Sequence, residues 1–306
     1  MKLITILGPT ATGKTAIAAR LAYSLGGSPI LSGDSRQVYR GMDIGTGKDL
    51  GEYVVEGRQI PYCLIDIAEP GERYNIHRYL RDAHEVLARL PENPTPILCG
   101  GSGLYVEALR CGYALSEAPE DEELRQRLEG LPLEALQEEW YRIKKEDEPD
   151  LDDPKNPRRL IRAIERRLSP GGETTVYPPL SGPIFYIDVP REVRRERISR
   201  RLRSRLDEGM IEEVDGLLRK LGGDPAPLLA YGLEYRYVTL YLLGELSKEE
   251  MVAKLETAIH QFAKRQVTWI RGMVRRGIPL IPVRPSEDPE ATAREMMRLM
   301  QSFEAD

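Results

Sequence analysis

The stretch I4-T-I-L-G-P-T-A-T-G-K-T-A-I-A-A-R-L-A22 decides the fold. Residues 4–7 are β-branched or aliphatic and read as a buried strand, and Ala16 to Ala22 read as a helix. Between them Gly8-Pro9-Thr10-Ala11-Thr12-Gly13-Lys14-Thr15 has the spacing G-x-x-x-x-G-K-[ST] of a phosphate-binding loop. The glycines let the backbone turn tightly and aim several N–H groups into one concavity. The helix that follows adds its positive end. Lys14 supplies a full charge, and the Thr15 hydroxyl suits a magnesium ion shared with the phosphates. The loop announces an anionic phosphate ligand and leaves its identity open.

Working outward, apolar runs suited to buried parallel strands occur at Lys2–Leu7, Pro29–Gly33, Cys63–Ile67, Pro96–Cys99, Ile184–Val189 and Ile278–Val283. Helical patterns at Thr15–Leu25, Ile76–Arg89 and Leu104–Leu109 alternate with them. The expected fold is therefore α/β: a phosphate-loop NTPase-like parallel sheet with helices on both faces. From about Leu115 to Pro179 strand signals stop, and segments such as DEELRQRLEG, LEALQEEWYRIKKEDEP and PRRLIRAIERRLSP have helical spacing. This predicts an all-helical insertion at 115–179 within a core made of 1–114 and 180–306. The core resumes at IFYIDV and is helical again from Arg191 to Gly277.

Composition narrows the chemistry. The chain has 306 residues, 41% hydrophobic and 30% charged, with no apolar run near the ~20 residues of a membrane span. A cytoplasmic protein without a signal peptide is expected. Cys63, Cys99 and Cys111 form no C-x-x-C pair and read as buried thiols rather than zinc ligands. The three histidines, His77, His84 and His260, lack metal-ligand spacing, so proton transfer falls to a carboxylate. Net charge is −5, unevenly spread. Residues 117–153 hold fifteen Asp/Glu against five Lys/Arg, a balance of −10 that leaves +5 for the rest. The basic excess lies in K155NPRRLIRAIERR167, R191EVRRERISRRLRSR205 and K264RQVTWIRGMVRR276, a pattern that favours a polyanion-binding surface.

Two further stretches bear on the ligand. In L31SGDSRQVYRGMDIGTGKDL50, Asp34 belongs at the C-terminal edge of a strand beside the phosphate loop. Ser35, Gln37 and Tyr39 can hydrogen-bond to or stack on a base, and Lys48 is expected to turn towards the same mouth. In I97LCGGSGLYVEAL109, Gly100, Gly101 and Gly103 allow backbone approach, and Ser102 offers a hydroxyl at a helix start. On residue chemistry alone, a nucleotide or small-molecule kinase with ATP in the loop remains open.

The segments GPTATGKT, DSRQVYRGMDIGTGK, GGSGLY, NPRRLIRAIE, RLRSRLDEGMIEEV and FAKRQVTWIRG occur in this order. Together they resemble the bacterial tRNA dimethylallyltransferase (isopentenyl-tRNA transferase) family over residues 3 to about 275. The resemblance implies Mg2+-dependent transfer of a dimethylallyl group from dimethylallyl diphosphate to N6 of an adenosine. That adenosine lies 3′ of the anticodon in tRNAs reading U-initial codons.

By the same resemblance Asp34 is the general base, and Lys14, Thr15 and Ser102 act with it. Gly8 to Thr15 hold diphosphate. The expected tRNA contacts are Asp34, Ser35, Arg36, Gln37, Ser102, Arg158, Arg159, Leu160, Ile161, Arg162, Lys264, Arg265 and Gln266. Trp269 and Phe262 are expected as helix core. The implied partner is the anticodon stem-loop of tRNA, met by a monomer. An adenylate isopentenyltransferase shares the loop chemistry, but a free nucleotide needs no such basic surface. In L228LAYGLEYR236, Leu229 and Leu233 stand where the family commonly has a polar residue and Tyr. If an arginine there clasps diphosphate, Lys48 or Arg236 is the expected substitute.

Overall fold

The computed structural model describes residues 2–91, 93–113, 115–116, 121–145, 150–151, 153–168 and 174–303. Expectations that fall on residues 1, 92, 114, 117–120, 146–149, 152, 169–173 and 304–306 lie outside the described residues. The chain divides into two compact units, Met1–Cys111 with Pro179–Asp306, and Gly112–Pro178.

The first unit is built on six strands: β1 (Ile4–Leu7), β2 (Ile30–Ser32), β3 (Tyr62–Cys63), β4 (Ile97–Gly100), β5 (Ile184–Ile187) and β6 (Ile281–Val283). They form one sheet in the order β6-β5-β1-β4-β2-β3, with every pair parallel. Strands buried on both faces need apolar residues at every position, which is why the pattern is continuous rather than alternating. Ile4, Ile6, Ile30, Ile97, Phe185 and Ile187 form the core with Ile17, Ala18, Leu21 and Ala22 of α1 (Lys14–Ser24). Ala293 and Met296 of the C-terminal helix join the same cluster. On the other face lie α2 (Ile76–Arg89) and α3 (Gly103–Cys111), their Tyr79 and Tyr105 rings 4.5 Å apart.

The third strand is shorter than its apolar run. Cys63–Ile67 was the expected span, but pairing ends at Cys63 because Leu64 and Asp66 take left-handed φ of 64° and 56°. Such residues cannot continue a ladder. The turn instead aims the Asp66 carboxylate at Lys48.

The second unit contains α4 (Glu122–Glu129), α5 (Leu133–Ile143) and α6 (Pro157–Leu168). Leu128, Leu136, Trp140, Leu160, Ile161, Ala163 and Ile164 make its core. Arg125 donates to both oxygens of the buried Glu165 at 2.6 and 2.7 Å, a bidentate pair that compensates the buried charge. This unit is not all helix: Leu115–Ser116 pairs antiparallel with Thr174–Thr175. Two residues per strand are too few for alternation to show in sequence.

Residues 191–303 of the first unit supply α7 (Arg191–Asp207), α8 (Met210–Lys220), α9 (Ala226–Ala230), α10 (Leu233–Leu242), α11 (Lys248–Arg275) and α12 (Pro289–Phe303). The 28-residue α11 starts with a capping box, Ser247 and Glu250 satisfying each other's backbone N–H. No helix of the described residues is long and apolar enough to cross a membrane.

Candidate active site

Three loops leave the C-terminal ends of adjacent strands. Leu7 of β1 pairs with Gly100 of β4, and Cys99 of β4 pairs with Ser32 of β2. The phosphate loop, the Gly101–Ser102 turn and the Asp34 turn therefore emerge side by side, where open parallel sheets bind ligands. Gly100 allows this spacing, since a Cβ there would lie 2.3 Å from the Gly33 carbonyl oxygen.

In the phosphate loop, Gly13 takes φ of 77° and offers no side-chain cap, so the first amides of α1 face outward unpaired by a cap. Thr12 Oγ1 donates to the Pro9 carbonyl at 2.9 Å, and Lys14 Nζ to the same oxygen at 3.3 Å. Burial of the ammonium lowers the Lys14 pKa, with the Arg201 charge adding to the effect and Cys99 and Asp34 opposing it. Asp34 is thus within electrostatic reach of Lys14. Its own turn is closed locally: Oδ1 accepts the Arg36 N–H at 2.8 Å, and its N–H donates to Ser32 Oγ at 3.3 Å. Ser102 Oγ accepts the Ser35 N–H at 3.1 Å and binds the two loops together. Gln37 is held by Ser32 and by the Gly47 carbonyl.

Several expected site residues are placed elsewhere. Gln266 is buried: its Oε1 accepts the Thr10 N–H at 2.9 Å and its Nε2 donates to the Gly101 carbonyl at 2.8 Å. It clamps the phosphate loop to the glycine turn, and its neighbours Lys264 and Arg265 are exposed. Leu160 and Ile161 belong to the second unit's core, so their side chains do not reach a surface. Arg158 and Arg159 are exposed on α6, while Arg162 is drawn to Glu165 at 3.1 Å. Tyr39 is buried, its ring 4.3 Å from that of Tyr231, and is not available to a base.

Lys48 does not line the mouth either. It is buried and donates to the Tyr39 carbonyl at 2.7 Å, to Asp43 at 2.6 Å and to Asp66. Arg236 is exposed on α10. Phe262, expected as core, is 39% exposed, with the Arg265 guanidinium over its ring. Trp269 is half-buried, its Nε1 donating to the buried Glu107 at 2.7 Å.

The basic run 191–205, expected as surface, also turns partly inward. Ile198, Arg201, Leu202 and Arg205 line a narrow chamber with Thr10, Ala11, Glu234 and Ile259. Their spacing, i, i+3, i+4, i+7, is one helix face, and the apolar pair at 198 and 202 is the signal that could have found it. Arg201 bonds Asp49 at 3.0 Å. Burial lowers the Arg205 pKa to about 10, with Arg201 adding to it, and burial raises that of Glu234. A second feature missed in the sequence is Glu213 of α8, whose carboxylate accepts the N–H groups of Asp43, Ile44 and Gly45 at 2.7–3.0 Å. It pins the loop that carries Gly47.

A family model described as IPP transferase matches residues 37–273, and one described as isopentenyl transferase matches residues 1–69. The chain belongs to the IPP transferase family. It is 48% identical over 302 residues to tRNA dimethylallyltransferase 1 of Parabacteroides distasonis, covering 98% of this chain and 97% of the relative. It is 50% identical over 282 residues to tRNA dimethylallyltransferase 2 of Bacteroides fragilis, covering 91% of each. Among solved structures, the full-length tRNA isopentenylpyrophosphate transferase of Bacillus halodurans superposes with a TM-score of 0.69 at 30% identity, over 98% of this chain and 96% of that one. A eukaryotic dimethylallyltransferase acting on tRNA shares the fold at 20% identity, with a TM-score of 0.73.

Proposed function

We propose that this protein transfers a dimethylallyl group from dimethylallyl diphosphate to N6 of the adenosine 3′ to the anticodon of tRNAs reading U-initial codons. The observation that carries the reading is the meeting of the phosphate loop, Asp34 and Ser102 on three neighbouring strand ends. Outward amides of α1 and Lys14 stabilise negative charge on a diphosphate leaving group as its bond to C1 breaks. The bonding pair leaves with the diphosphate, and N6 forms the new bond to C1. Conjugation with the purine makes that amine a weak nucleophile, so Asp34 takes its proton as the bond forms.

The Thr15 hydroxyl, with no protein partner among the described residues, is the group that would hold magnesium on the diphosphate. The fit is a hard oxygen donor beside phosphate, with no cluster of three metal-ligating side chains among the described residues. Bound there, the ion would offset charge on the diphosphate. Ser35, Arg36 and Gln37 would meet the extruded nucleotide, at an unstacking cost of a few kcal/mol, on the order of that for other flipped bases. Exposed Arg158, Arg159, Lys264 and Arg265 would contact phosphates. Arg162 would add to them from α6.

The test is incubation of the purified chain with magnesium, labelled dimethylallyl diphosphate and unmodified tRNA, with AMP as a parallel acceptor. Label in tRNA at the adenosine beside the anticodon is the expected result. Label in AMP alone would convert the reading to an adenylate isopentenyltransferase. ATP hydrolysis with no label transferred would point to a kinase.

A further inference from the structure

Arg205 is about nine-tenths buried, yet its Nη2 has no hydrogen-bond partner among the described residues. An unsatisfied buried guanidinium nitrogen is costly and calls for an explanation. Its Nη1 reaches the Gly45 carbonyl at 3.3 Å and stands 3.9 Å from Glu234. Arg201, one helical turn earlier, brings a second guanidinium to the same place. A Cβ on Gly47 would lie 1.5 Å from Arg205 Nη2 and 2.0 Å from Arg201 Nη2, so both forks converge over a glycine that has no side chain to exclude them. Gly47 has φ of 62°, which also favours glycine.

Two like charges packed together repel, and the ion pairs that offset them among the described residues are Arg201 with Asp49 at 3.0 Å and Arg205 with Glu234 at 3.9 Å. Both arginines line the chamber floored by Thr10 and Ala11 of the phosphate loop. The first carboxylate is 44% exposed and the second 21%. The arrangement is desolvated and leaves one guanidinium donor unused, as expected of an oxyanion site awaiting its ligand.

We propose that Arg205 is a diphosphate-holding residue of the phosphate-loop chamber, its Nη2 donating to a diphosphate oxygen while Glu234 holds the guanidinium in position. Lys48, locked inside its own loop by Tyr39, Asp43 and Asp66, is not free to do the same. This assignment rests on the proposed transfer from an allylic diphosphate and names a residue for its ligand.

The probe is inorganic pyrophosphate, titrated calorimetrically into the purified full chain in magnesium, beside inorganic phosphate. Arg205→Gln should weaken pyrophosphate binding ~10–100-fold, the worth of one charge-assisted hydrogen bond. Phosphate binding, which needs only the loop, should change far less. With dimethylallyl diphosphate and tRNA, KM for the diphosphate should rise by a similar factor, with kcat and the KM for tRNA nearly unchanged. Because Arg205→Gln strands the partly buried Glu234, the double variant Arg205→Gln/Glu234→Gln supplies a neutral pair of similar size, and it should lose pyrophosphate in the same way. Folded variants that bind pyrophosphate as tightly as the parent overturn the assignment and leave the transferase reading standing. A parent chain that binds no pyrophosphate and transfers no label overturns both.

Discussion

Asp34 shows how little of a side chain's role lies in its own identity. One carboxylate oxygen closes a local turn with the Arg36 N–H, while the charge as a whole is felt by Lys14. Asparagine keeps an oxygen acceptor for that turn and loses the basicity. Asp34→Asn should therefore lower kcat about 10²–10⁴-fold with tRNA affinity nearly intact, measured by single-turnover transfer and filter binding. Unchanged turnover would remove Asp34 as the base.

Lys14 makes the complementary case. Burial lowers its pKa in the folded state, so the unfolded chain holds the proton up to a higher pH. Between the lowered folded value and 10.5 the folded state binds fewer protons, and stability rises with pH across that window. Below the window the charged ammonium is a net cost to folding, since its pKa is shifted against the charge. Lys14→Met should accordingly raise the melting temperature of the ligand-free chain at neutral pH. The same change should weaken pyrophosphate binding by about 10–100-fold. A variant that melts lower would show the Pro9 hydrogen bond outweighing desolvation.

At the scale of elements, α11 is the strut on which the loops are set. Gln266 reaches the Thr10 amide and the Gly101 carbonyl, while Phe262 one turn earlier and the adjacent Arg265 are exposed. Gln266→Ala leaves two buried backbone groups unpaired, at roughly 1–3 kcal/mol each. Urea unfolding should report that loss, and transfer should slow while the salt dependence of tRNA binding stays as it was. A shallower salt slope would mean that Gln266 meets RNA after all.

For the whole molecule, the proposed diphosphate contacts come from the first unit alone, while the proposed tRNA contacts come from both. Leu160 is fully buried in the second unit's core, and Leu160→Ala should cost that unit about 2–5 kcal/mol. Calorimetric melting should show the loss, tRNA binding should weaken, and pyrophosphate binding should persist, since its residues all belong to the first unit. Loss of both together would mean that the units fold as one. Arg158→Ala with Arg159→Ala should act without unfolding: the slope of log K against log salt should fall by about 1 per phosphate contact removed. An unchanged slope would place the RNA elsewhere.

Local chemistry made the parallel sheet, the phosphate loop, the Asp34 turn and the helical lobe legible, because strand period, glycine spacing and Pro/Gly punctuation are properties of neighbours in sequence. The two-residue strands escaped, being too short to carry a period. The fate of the cations was decided only in three dimensions. Lys48, Arg201 and Arg205 read alike as basic residues, yet one is buried on Asp43 and Asp66 and two converge over Gly47. Charge along a chain does not say which face is buried or what lies opposite. Tertiary packing settles both, because desolvation and pairing depend on residues as far apart in sequence as Gly45, Arg205 and Glu234.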